Sequence, residues 1–147
     1  METGETRTEL DSDSVKKEWL RRMESLVEDV KRWAIATGWR TRRIEKTITE
    51  RGLGTYKVPV LLMEKDTIEI VLNPVARFVP GAQGAVDLYL APAYDDIASL
   101  YYEGDCWVVH HAIRPDSVDS GCIGVTTPQV YSEQTILSIL NGMAVNA

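Results

Sequence analysis

The chain has 147 residues, 44% hydrophobic and 26% charged, with a formal net charge of −6. Such apolar content excludes a disordered chain, and no apolar run approaches the roughly 20 residues of a membrane-spanning helix. Residues 1–51 hold 12 basic and 11 acidic groups whereas residues 52–147 hold 4 and 11, an acidic body that disfavours nucleic acid as a partner.

Residues 1–12 are polar and without period, and are expected to form a flexible tail. They contain no apolar stretch of the secretory kind. Asp13 or Ser14 is suited to cap a helix. From there Val15, Trp19, Met23, Leu26, Val27, Val30, Trp33 and Ala34 recur at three- and four-residue spacing, with charged residues between them. This pattern predicts an amphipathic helix over residues 14–37, stopped by Gly38.

Beyond Gly38 the period becomes two. Residues 39–50 predict a strand, turned by Arg51-Gly52-Leu53-Gly54. Residues 55–63 and 67–72 predict a hairpin with Glu64-Lys65-Asp66 as its loop. That loop pairs Leu62 with Ile68, Val60 with Ile70 and Val58 with Leu72, placing all six on one buried face. Pro59 has no N–H to give a ladder, so its nitrogen should face away from a neighbour. Residues 73–84 contain two prolines and two glycines and predict a loop.

Residues 85–90 alternate cleanly, with Val86, Leu88 and Leu90 inward and Asp87 and Tyr89 outward. Residues 97–111 predict a second hairpin around Gly104-Asp105, glycine taking the first central position of a type II′ turn. Its register pairs Glu103 with Cys106, Tyr102 with Trp107, Leu100 with Val109 and Ser99 with His110. Residues 112–127 are irregular, and Thr127-Pro128 has the composition of a helix start, with Gly142 as its stop.

The expected fold is α+β: one domain over residues 13–147, a curved and mostly antiparallel sheet of about six strands, packed on the long N-terminal helix and followed by a short C-terminal helix. Short connections favour hairpins over crossovers, which argues against a parallel sheet. Trp19 and Trp33 are expected to fill the concave side.

The two registers turn Asp87, Tyr89, Tyr101, Glu103, Cys106 and His110 away from the helix. An outward face with aromatic side chains and no convergent catalytic set predicts a non-enzymatic binding module. Tyr89, Tyr101 and Cys106 are its contact residues, and its partner is a protein or a second copy of the chain. No cofactor is expected. Two cysteines, Cys106 and Cys122, are too few for a disulfide framework, which points to a reducing cytoplasm.

Two alternatives use other side chains. Asp87 and His110 could hold a zinc or manganese ion while Glu103 activates water, as in a small hydrolase. Arg40, Arg42, Arg43 and Lys46 could bind nucleic acid weakly, although a charged edge strand explains them equally. Other chemistry is poorly supported. Cys106 and His110 stand about 13 Å apart along one strand, beyond hydrogen-bond reach. His110 and His111 point to opposite faces. Asp119-Ser120-Gly121 lacks the glycine frame of a nucleophile elbow, and residues 80–84 lack the Gly-Lys pair of a phosphate loop.

Overall fold

The computed structural model describes residues 4–112 and 126–145. Helix α1 (Gly4–Ala36) leads into strands β1 (Arg40–Glu50), β2 (Gly54–Lys65), β3 (Ile68–Ala76), β4 (Ala85–Leu90), β5 (Asp95–Glu103), β6 (Cys106–Ala112) and β7 (Thr126–Val130), followed by helix α2 (Glu133–Val145). The strands lie side by side in chain order, every neighbour antiparallel. The expected α+β fold is therefore present, with seven strands in place of about six.

Helix α1 starts upstream of the expected cap. No glycine or proline occurs between Glu5 and Thr37, so nothing in that stretch interrupts it. Its C-terminus is as expected. Gly38 adopts a φ of 95°, and the N–H of Trp39 bonds the carbonyl of Ala34. The tail expected over residues 1–12 bears partly on residues 1–3, which lie outside the described residues.

One face of the sheet lies against the helices. Trp19, Met23, Leu26, Val27, Val30 and Ala34 of α1 meet Leu61, Met63, Ile70, Leu72, Leu88, Leu100 and Val109 of the strands. Helix α2 adds Ile136, Ile139, Leu140 and Met143. Trp19 is fully buried as expected, whereas Trp33 is only partly covered and rests against Tyr131 with centroids 5.5 Å apart.

The β5–β6 hairpin has the expected register in full, with Gly104 at a φ of 64°. The β2–β3 hairpin does not. Leu61 faces Leu72 and Met63 faces Ile70, because the loop is the two residues Asp66 and Thr67 rather than three. Asp66 reaches a φ of 58°, a conformation that aspartate tolerates better than most residues. The odd shift reverses which side chains meet. Leu61 and Met63 join the core, while Val60 and Leu62 share the opposite face with Val71. The β2–β3 ladder ends at Leu61, short of Pro59, as an imino nitrogen requires.

Residues 126–130 form an edge strand instead of a helix start, Pro128 sitting opposite His110. An edge strand has one unpaired side, where proline costs no ladder bond. Ser132 is the cap of α2: its Oγ accepts the Thr135 N–H at 3.1 Å. Gly142 lies inside α2 and does not end it. Cys122 and Asp119-Ser120-Gly121 lie outside the described residues.

The cationic group expected on β1 is divided between the two faces. Arg43 turns to α1, where its Nη1 donates to Glu24 at 2.8 Å and Nη2 to the second oxygen. These bonds hold the Glu24 carboxyl below the usual carboxylate range. A lowered folded-state pKa stabilises above the unfolded value of about 4.3 and is lost as pH falls through the folded one. Both side chains are partly solvated, so Arg43→Ala should cost at most about 1 kcal/mol at neutral pH. Urea titrations of both proteins should show this difference shrinking below about pH 4 and in high salt.

Candidate functional site

The sheet face opposite α1 presents the residues that the alternation turns outward. One row crosses four strands, with Asn73 beside Asp87, Asp87 beside Ser99, and Ser99 beside His110. Val86, Leu88, Ala98, Leu100 and Val109 are in the core, which fixes their neighbours on this side.

A hydrogen-bonded chain runs over the row. Lys46 Nζ donates to Asn73 Oδ1 at 2.6 Å, and Asn73 Nδ2 donates to Tyr94 Oη at 3.5 Å. Tyr94 Oη donates to Asp87 Oδ2 at 2.6 Å, and Ser99 Oγ donates to Asp87 Oδ1 at 3.1 Å. Tyr94 comes from the β4–β5 connection and lies on Tyr89, the ring centroids 4.0 Å apart and the planes 18° from parallel. Nearby, Tyr101 meets His110 edge to face at 5.4 Å.

Burial sets the protonation of this chain. It lowers the Lys46 pKa, which Asp87 partly opposes. It also pushes the Tyr94 phenol up to about 12, with the Asp87 hydrogen bond adding to the shift. Tyr94 is thus a donor near neutral pH, and both Asp87 oxygens already accept bonds. The arrangement is suited to holding two aromatic rings in fixed positions, a property of contact surfaces.

Around the chain the face is apolar. Ile44 is 39% exposed and Tyr94 49%, while Val60 and Val71 lie almost covered between their neighbours. Arg42 and Lys46 border this stripe on β1, and Glu69 and Asp87 on β3 and β4.

Of the expected contact residues, Tyr89 and Tyr101 occupy this face. Cys106 does not join them. It is exposed at the β5–β6 turn and lines a cavity beside α1 with Arg22 and Leu26. Tyr94 is the residue that strand patterning missed, and Lys46, expected only as a nucleic-acid contact, joins it here through Asn73. A loop tyrosine and a lysine three strands away have no spacing in sequence that links them.

The alternative residue sets are dispersed. Asp87 and His110 lie two strand spacings apart, about 10 Å, and Glu103 stands about 13 Å further along β5 from Ser99. Among the described residues no group of three His, Cys, Asp or Glu side chains could hold a metal ion. His111 points the other way from His110 and bonds Asp96 at 2.9 Å. On β1, Arg40 bonds Glu64 at 2.9 Å, Arg43 is held by Glu24 and Lys46 by Asn73. Three of the four cations thus have partners within the chain. No helix is long and apolar enough to cross a membrane among the described residues.

Comparison with family models, with curated proteins and with solved structures gives no match for this chain.

Proposed function

We propose that the protein is a cytoplasmic, non-enzymatic interaction module that self-associates through the open face of its sheet. The carrying observation is the stacked pair Tyr89 and Tyr94, anchored to Asp87 on a face that neither helix packs against. Tyrosines held by packing and hydrogen bonds lose little side-chain entropy on binding, which is why such rings dominate contact energies. The face also carries both signs of charge, Arg42 and Lys46 against Glu69 and Asp87. A two-fold interface needs this self-complementarity, because each patch meets its own copy.

Sedimentation over a wide concentration range, with light scattering on eluted peaks, tests the proposal. The wild-type chain should form a dimer, and Tyr89→Ala with Tyr101→Ala should weaken it at least about tenfold. Lys57→Ala, on the exposed side of β2, serves as the unaffected control. A monomer at every concentration, or a dimer indifferent to both tyrosines, refutes self-association through this face.

A further inference from the structure

A concave feature lies on the helix side of the sheet, where α1, the β5–β6 turn and the segment before α2 meet. It encloses about 330 Å³, within the size range of small-molecule pockets. Three rings line it: Tyr102 and Trp107, which meet edge to face at 5.2 Å, and Tyr131. Asp29 and Asp105 contribute carboxylates, and Arg22 is the one cationic side chain among the described residues that line it.

The Arg22 guanidinium is already engaged. It lies 3.8 Å over the Tyr102 ring, donates to the Gln83 carbonyl at 3.3 Å and stands 3.6 Å from Glu18. Its position shows that this aromatic wall attracts a positive charge. Asp29 accepts from Tyr131 Oη at 3.0 Å and from Arg32 at 3.3 Å. An ionised carboxylate offers about four acceptor sites, so capacity remains. Asp105 lies exposed at the turn.

An anion would meet two carboxylates and a guanidinium already held by the Tyr102 ring, the Gln83 carbonyl and Glu18. A hard metal ion needs six or more oxygen ligands, and among the described residues no group of three His, Cys, Asp or Glu side chains could hold one here. A weakly hydrated organic cation suits both the ring faces and the carboxylates. We infer that this cavity binds a small organic ammonium ion, its alkyl groups against Trp107 and Tyr131 and its charge beside Asp29 and Asp105.

Cys106 at the cavity rim gives a direct readout. With Cys122→Ser it becomes the sole thiol, since the chain has two cysteines. Its alkylation by iodoacetamide is timed against choline, the uncharged isostere 3,3-dimethylbutanol and acetate, at matched ionic strength. Choline should slow alkylation saturably, with the isostere at least about tenfold weaker and acetate without effect. Asp105→Asn, an exposed change, and Asp29→Asn, which keeps an acceptor for Tyr131, should each raise the half-protecting choline concentration several-fold. Equal protection by choline and its isostere, protection by acetate, or none by choline would overturn the assignment. So would an absence of binding heat when choline is titrated into the unmodified chain.

Discussion

Gly84→Ala should lower the midpoint of thermal unfolding by about 10 °C, because among the described glycines Gly84 is the one where an added methyl group meets a rigid neighbour. Gly84 directly precedes β4 and has a φ of 147°, where a side chain is strained. An alanine Cβ there would overlap Trp19 Cζ3 and lie within 3.1 Å of Cε3 and Cη2. The indole cannot withdraw, because it is fully buried and its Nε1 donates to Tyr56 Oη at 3.1 Å. Nor can the backbone: the Gly84 carbonyl accepts from the Tyr102 N–H at 3.0 Å, and the Gln83 N–H donates to the Tyr102 carbonyl at 2.7 Å. Strain and overpacking together amount to about 3 kcal/mol, and each kcal/mol moves the midpoint by about 3 °C at this chain length. Adding Trp19→Leu should recover part of the loss, giving a less-than-additive double mutant in calorimetry. An unchanged midpoint for Gly84→Ala would show that the contact is not rigid.

Glu50→Ala should destabilise by about 3 kcal/mol in urea titration, although Glu50 is only a strand-end acid in sequence. Its carboxylate accepts the Tyr56 hydroxyl, the Arg77 N–H at 3.0 Å and the Phe78 N–H at 2.8 Å. Because Tyr56 in turn accepts from Trp19, one acid connects α1, β2 and the segment after β3. Alanine would strand three donors and remove the negative charge that opposes the burial-driven lowering of the Arg77 pKa. Glu50→Gln keeps a carbonyl oxygen for one or two of these donors and should cost about half as much. Equal losses for both variants would mean that the charge, not the acceptor geometry, carries the effect.

Local signals made parts of this fold legible in sequence. The 3.6-residue stripe from Val15 to Ala34 identifies α1, and Gly104-Asp105 sets the β5–β6 register without help from the rest of the chain. Where no glycine marked the turn, the sequence misled. Asp66 takes its positive φ without advertising it, and the β2–β3 register moved by three residues. Thr127-Pro128 has the composition of a helix start, but its position at the sheet edge makes it strand. The outward residues Asp87, Tyr89 and Tyr101 follow from alternation alone. The chain that joins Lys46, Asn73 and Tyr94 depends on three elements meeting in space, which no periodicity encodes.

The strand order has a kinetic consequence. Since each strand pairs with the one just before it in the chain, the sheet has no topological obstacle and can zip outward one ribbon at a time from any hairpin. Bringing neighbouring ribbons together closes mostly small loops, so the entropic barrier stays low for a molecule so rich in β-structure. The distant contacts are those that the two terminal helices make with each other and with the strands. Linking the two ends of this chain and reopening it at Gly104 would therefore convert one of its two tightest ribbons into the least local one, slowing refolding while leaving the same native packing.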